Sequence, residues 1–355
     1  MNENDYAVVV GITQYPEFGN LAGPENDACA FYDWLVKPAE QGGGGVPPDP
    51  DHIALILSRD HFRAEDGPLA AKPALFQIEL EFDRLIELSS QRGGILGRRL
   101  YVYLAGHGFG PDVEEAALLM ANASRRRMHH IPGRTLARWF RTAALFDEIV
   151  LLMDCCRDDY PRAPIYMPAW PEVRRPAGAD VRYFYGFATK WSRKAREKEI
   201  APGGPVQGLF TRAVLAALTQ ASPAENGCIT GSVIEKYVYN YLPMLVDEDE
   251  YQEPRFDYDK MSDIVFVDTT ALTQAAAAER SAPVPNVRLS VAPALNGRPV
   301  EILNHRFEPV ASHIATGEAW SITLEDGLYL ARIPGSDKEQ VIEVIGKEAV
   351  NVYLE

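Results

Sequence analysis

The sequence predicts an α/β protein with a mostly parallel sheet covered by helices, followed by a small all-β C-terminal domain. Three observations carry this. Up to residue 270, short and nearly continuous apolar runs alternate with segments of helical period. None of these runs reaches the roughly 18 residues a membrane span needs. Beyond residue 285 the pattern changes to apolar–polar alternation between turn dipeptides, which reads as a small antiparallel β-domain of about 70 residues.

The runs Tyr6–Ile12 (YAVVVGI), His52–Ser58 (HIALILS), Arg99–Gly106 (RLYVYLAG), Glu148–Asp154 (EIVLLMD), Arg182–Ala188 (RYFYGFA) and Asp263–Asp268 (DIVFVD) read as strands. A strand covered on both faces has no polar side to alternate with, hence the unbroken apolar character. Helical patterns fall between them at Asp27–Val36, Ala74–Ser90, Arg134–Ala143 and Gly208–Gln220.

The connections carry information too. Glu40–Asp51 (EQGGGGVPPDPD) reads as a flexible loop; its glycines lack the Lys-Ser/Thr ending of a phosphate loop. Pro161–Asp180 is too rich in proline for regular structure and is expected to cover one face of the sheet. Trp191–Gln207 is a second long polar loop, and loops of that length in a compact domain serve function or mobility. Ala271–Asn286 reads as a short helix and a proline-rich linker, so the expected division is 1–270, linker 271–284, and a β-sandwich-like accessory domain at 285–355.

Composition narrows the function. A net charge of −15, from 50 acidic and 35 basic residues, argues against nucleic acid as partner and favours cationic ones. The start MNENDYAVVV lacks the basic region of a signal peptide. Four cysteines in 355 residues make no disulfide framework, so a reducing cytoplasm is the expected setting, away from membranes.

In an open α/β sheet, ligands bind beyond the carboxyl ends of the strands. Two strand ends here carry reactive groups: YVYLAGHGFG ends in His107 between Gly106 and Gly108, and IVLLMDCC ends in Cys155 and Cys156. A free thiol is mostly protonated at neutral pH, and a neighbouring imidazole can take that proton during attack. Side chains alternate along a strand, so Asp154 and Cys156 share one face and Cys155 points to the other. A cleft on the Asp154 side makes Cys156 the nucleophile and Cys155 a core residue.

His-Gly at one strand end followed by Asp-x-Cys at the next resembles the caspase-like cysteine peptidases, including metacaspases and their bacterial relatives. VVVGITQYPEFGNLAGPENDACAFYDWL resembles that family's first strand, loop and Asn-Asp-led helix; YLAGHGFG and DCCRD match its histidine and cysteine motifs; GLFTRAVLAAL resembles the helix after its last substrate-contacting loop. The likeness covers about residues 5–268 and leaves out the tail.

The resemblance implies a caspase-like three-layer sandwich around a six-stranded, mostly parallel sheet. It implies a cysteine endopeptidase with Cys156 as nucleophile, His107 as acid and base, and the N–H groups of Gly108 and Cys156 as oxyanion hole. In the metacaspase branch, the pocket for the residue before the scissile bond is acidic, and the matching positions are Asp27 and Asp154. Residues 13–26 hold no Arg or Lys of the kind true caspases use to grip aspartate. Two carboxylates in one pocket call for a cation between them, and a guanidinium fits best, so cleavage after Arg, and more weakly Lys, is expected. The substrate is expected to lie extended and pair with the edge near Ala188 and Thr189. Pro24 stands where that branch often has a small or cysteine residue. No calcium-ligand set is recognisable around Asp158 and Asp159, so no metal or other cofactor is expected.

Arg193, Lys194, Arg196 and Lys198, with the arginines of Ser124–Met128, are candidates for cleavage in maturation by the enzyme itself or an activating protease. By analogy the chain is a regulated proenzyme in bacterial cell death or antiviral defence. Plainer readings stand beside these. Cys29 reads as core, Cys228 as a bystander, Asp158 and Asp159 as a solvated turn, His129-His130 as surface loop, and Asp27 could serve as a helix cap. Two other classes compete: a silent scaffold binding through its β-domain, and a redox switch on the vicinal thiols.

Overall fold

The computed structural model describes residues 2–354 except 62, 64–66, 160–164, 166–169, 172–179, 225, 247–251, 271–285, 305–306, 325–326 and 345–349. The chain divides into two compact units, Met1–Thr273 and Gln274–Glu355. The linker expected at 271–284 and most of Pro161–Asp180 lie outside the described residues.

In the first unit the order is β1 (Asp5–Gly11), α1 (Pro24–Val36), β2 (Ile53–Leu57), α2 (Leu75–Gln91), β3 (Gly97–Gly106), α3 (Gly133–Ala143), β4 (Phe146–Cys155), β5 (Arg182–Phe187), α4 (Leu209–Gln220), α5 (Gly231–Leu245) and β6 (Arg255–Tyr258). The central sheet runs β6-β5-β4-β3-β1-β2 and is parallel except for β6. Strand alternation sorts it into two cores. Val8, Val10, Val102, Leu104, Leu151 and Met153 meet Ile78, Phe82 and Leu85 of α2 and Leu136 and Phe140 of α3. Val9, Tyr103, Val150 and Leu152 meet Phe31 of α1, Phe210 and Val214 of α4 and Val238 of α5. The result is a three-layer α/β/α arrangement. Truncating Phe82, whose ring lies 5.4 Å from that of Phe140, removes the contact between α2 and α3, a loss of about 3–5 kcal/mol.

Four features differ from the sequence reading. The sixth strand of the central sheet is Arg255–Tyr258; within the predicted run, Val265–Asp268 pairs instead with Cys228–Thr230 in a separate two-stranded sheet. RFDY escapes an apolar-run criterion because an edge strand needs only partial cover: three of its four residues are half-buried. Helix α5 has its apolar face at Ile234, Val238 and Leu242, with Pro243 inside its last turn, a residue that reads as a breaker. The glycines after α1 are tightly packed: Gly44 and Gly45 donate to Trp34 O and Lys37 O, and a Cβ on Gly43 would fall 2.1 Å from Lys37 O. His130 is fully buried in a short strand, its ring edge-on to Phe109.

The second unit has a three-stranded sheet (Val287–Val291 between Trp320–Ile322 and Val350–Leu354) and a four-stranded antiparallel one in the order Pro309–Ile314, Pro299–Leu303, Gly327–Arg332, Glu339–Val344. Val287–Val291 and Val350–Leu354 run parallel, a departure from the all-antiparallel expectation. Val287, Leu289, Ile302, Ala331 and Ile342 lie in its core.

Candidate active site

The ladder between β3 and β4 ends with Gly106 opposite Cys155. One residue further, His107 and Cys156 leave from neighbouring positions, because adjacent strands lie about 4.8 Å apart. Pairing then resumes in a small sheet where Phe109 stands opposite Asp158 in parallel register. The two segments are thus zipped together on either side of the His–Cys rung. Asp158 belongs to that zip rather than to a solvated turn.

His107 and Cys156 line one cavity of about 120 Å³ together with Leu21, Pro24, Asp27, Asp154, Glu197 and Gly208. The Cys155 side chain packs into the α2/α3 core, as alternation requires. Burial pushes its thiol well above the usual cysteine range. A thiol so placed, facing away from its neighbour, is a poor partner for a redox pair.

Burial also pushes the Cys156 thiol up to about 11, with the charges of Asp158 and Asp154 adding to the effect. Burial holds the His107 imidazole below its ordinary value. The resting pair is therefore a thiol beside a neutral imidazole. His107 Nε2 lies 3.0 Å from Gly19 O, and a carbonyl only accepts, so Nε2 carries the proton and Nδ1 remains free to take one. The Cys156 thiol points toward Ala195 O at 3.9 Å. Gly108 sits against the cysteine strand end: a Cβ there would fall 2.6 Å from Cys155 Sγ and 2.7 Å from Cys156 O. Only glycine permits that approach.

Below the thiol the cavity is acidic. Asp27, on α1, takes the Gly208 N–H at 2.9 Å; α1 starts at Pro24 with no side-chain cap, so Asp27 does not serve as its cap. Asp154 takes both the N–H (3.0 Å) and the O–H (2.6 Å) of Thr211, whose oxygen accepts in turn from Tyr103 at 2.6 Å. Asp27 is raised well above the usual carboxylate range, first by burial and then by the charge of Asp154. Burial raises Asp154 as well, against the bonds from Thr211. Glu197 is a third carboxylate of the cavity, absent from the sequence reading. It accepts from Ala22 N (3.1 Å) and Gly23 N (2.9 Å) at the start of α1. Its place in a run of charges, REKE, concealed it.

Ala188 and Thr189 are not among the cavity residues. Ala188 donates to Met153 O and accepts from Gln252 Nε2, while Thr189 is fully buried with its carbonyl facing Arg157 Nη1. The backbone beside the thiol belongs to Ala195–Glu197 instead. Arg196 donates its N–H to Gln252 Oε1 and accepts from Leu209 N. That fixes the segment to the strand end and to α4. Of the processing candidates, Arg193 and Lys194 are exposed, Arg196 lines the cavity, and Lys198 lies in a hairpin opposite Gln207. Arg125, Arg126 and Arg127 are exposed on a tight turn. Cys29 and Cys228 are half-buried, Cys29 with Arg59 Nη2 at 3.2 Å from its sulfur.

No protein-family model matches the chain, and neither does any curated protein. Among solved structures, the crystal structure of caspase-1 from Spodoptera frugiperda is similar over 75% of this chain and 91% of its own, at 12% identity and a TM-score of 0.45. No helix among the described residues is long and apolar enough to cross a membrane.

Proposed function

We propose that this protein is a cysteine endopeptidase that cleaves after Arg, and less well after Lys. The observation that carries the reading is the convergence of Cys156, His107, Asp27, Asp154 and Glu197 on a single cavity. Three carboxylates around so small a space are satisfied by one planar cation, and Arg offers a fork of donors where Lys offers a point charge.

A substrate strand would run beside Ala195–Glu197 and place its Arg side chain between Asp27 and Asp154. His107 Nδ1 takes the Cys156 proton as sulfur attacks the carbonyl carbon. The proton then passes to the leaving amine, the C–N bond breaks, and a thioester remains. His107 next takes a proton from water, whose oxygen attacks the thioester carbon; the C–S bond breaks, the proton returns to the sulfur and the acid is freed. Gly108 and Cys156 N–H groups are the proposed donors to the oxyanion. The remaining expectations join the proposal: a cytoplasmic proenzyme, matured by loop cleavage, working without a cofactor.

The test is a panel of fluorogenic peptides differing only before the scissile bond (Arg, Lys, Asp, Ala), with wild type and Cys156→Ala. Arg-peptide cleavage that disappears in Cys156→Ala supports the reading. Failure of every peptide, including with protein nicked in the 191–208 segment, favours the binding scaffold instead.

A further inference from the structure

Building on the peptidase reading, we propose that Tyr15 is a positioning residue, whose phenol sets the height and plane of the His107 imidazole. Tyr15 follows β1 and is fully buried. Its oxygen accepts the His107 backbone N–H at 3.1 Å and donates to Leu119 O at 3.0 Å. Leu119 N–H returns to His107 O at 2.8 Å, so the phenol closes a ring of bonds around the histidine backbone. The Tyr15 ring also meets the imidazole edge-on, with centroids 4.8 Å apart.

The same turn reaches the far side of the imidazole. Phe18 N–H and Gly19 N–H fold back onto Tyr15 O at 3.2 and 2.9 Å, and this presents Gly19 O to His107 Nε2 at 3.0 Å. Five consecutive residues thus hold the backbone, the ring face and one ring nitrogen of a single side chain. Simple packing would explain a buried aromatic ring; it does not account for the hydroxyl or for the glycine beside it. Gly106 has φ +154°, and a Cβ there would fall 2.2 Å from the Tyr15 oxygen. The strand that carries His107 lacks a side chain at the point where the phenol passes. Proton transfer needs donor and acceptor within a few tenths of an ångström of their working distance, so a tilt of the ring is felt in the chemical step rather than in binding.

The experiment replaces Tyr15 by Phe and, by codon suppression in the full chain, by mono- and trifluorotyrosine. Phe keeps the ring and removes both bonds; fluorine keeps the shape and weakens the oxygen as acceptor. We expect kcat on the Arg peptide to fall about tenfold in Tyr15→Phe with KM within about twofold, and to decline in steps along the fluorine series. The ¹⁵N resonances of the His107 ring should shift in parallel, read also in the Cys156→Ala background, where no turnover is needed. A lower melting temperature with unchanged kcat, a flat fluorine series and an unmoved imidazole spectrum means Tyr15 only packs, and overturns the proposal. If Tyr15→Phe fails to fold, the fluorotyrosine series alone decides. Wild type that cleaves nothing sinks the peptidase reading, whereas the imidazole spectrum judges Tyr15 by itself.

Discussion

Replacing Asp27 by Asn removes a charge while keeping the shape; the pocket geometry predicts that this helps the fold, and under the proposed peptidase reading it harms the reaction. A Cβ on Gly208 would lie 2.2 Å from Asp154 Oδ2 and 2.9 Å from Asp27 Oδ2. The two oxygens therefore stand within about 5 Å of each other, where unit charges at an effective dielectric of about 20 repel by about 3 kcal/mol. Both carboxyls are raised in the fold, by burial first. Raised folded values mean that the native state binds more protons than the unfolded chain over the acid range. Wild type therefore loses stability as pH climbs through that range, and Asp27→Asn escapes part of the loss. The expected gain is up to about 3 kcal/mol at pH ~8, or up to about 10 °C in melting temperature, and shrinks toward pH ~4. On the Arg peptide, kcat/KM should fall by at least about 2 kcal/mol, roughly 30-fold, because the guanidinium loses a charged partner. Thermal melts across pH and one peptide assay read both effects. A variant no more stable than wild type at high pH, or stabilised equally at every pH, refutes the shared-pocket argument.

Cys155→Ala should keep turnover within about threefold while losing about 1 kcal/mol of stability to the cavity it leaves, by urea denaturation; loss of activity in this variant alone would revive the vicinal-thiol reading. The kcat–pH profile should fall on the acid side with a midpoint below 6.5, because burial lowers His107 and the neutral ring persists to lower pH. For Arg peptides, kcat/KM should fall earlier, as Asp27 and Asp154 take up protons; coincident limbs would separate the carboxylates from substrate binding. Within residues 191–208, limited trypsin followed by mass spectrometry should cut first after Arg193 or Lys194, which are exposed. First cuts after Arg196 or Lys198 would contradict the hairpin.

The legible parts of this molecule were those in which one residue type serves one purpose. Apolar runs gave five of the six central strands, since a doubly covered strand tolerates little else. Alternation alone separated Cys155 from Cys156, because the last rung of β4 inherits the two-residue period of the strand. The paired carboxylates came only through resemblance, and Asp27 could have been a helix cap until Gly208 N–H was seen to hold it. Glu197 was out of reach because a carboxylate in a charge run has no local signature; its role depends on a hairpin that returns Val206–Gly208 beside it. The edge strand Arg255–Tyr258 and the packed glycines at 43–45 were obscured for a related reason. Their burial is decided by neighbours distant in sequence, with little trace in the residues themselves.

The acidic cavity and the raised resting thiol are linked. Burial is the main reason Cys156 is pushed up to about 11, but Asp158 and Asp154 contribute through their charge. A cation seated against Asp154 cancels one of these contributions, so on the proposed reading a basic substrate would both fill the cavity and make the Cys156 thiol more acidic. Neutral side chains would lack the second effect even if they fitted the cavity. Iodoacetamide, small and uncharged, reports the thiolate fraction directly. Methylguanidinium, too short to cover the sulfur, should speed Cys156 alkylation about two- to fivefold at neutral pH, since one charge at this range moves a thiol by a fraction of a unit. The neutral isostere methylurea should leave the rate unchanged, and Asp154→Asn should show a faster basal rate with no response to the cation. If methylguanidinium competes with the Arg peptide yet leaves alkylation untouched, pocket occupancy and thiol ionisation are independent, and the preference for Arg rests on binding alone.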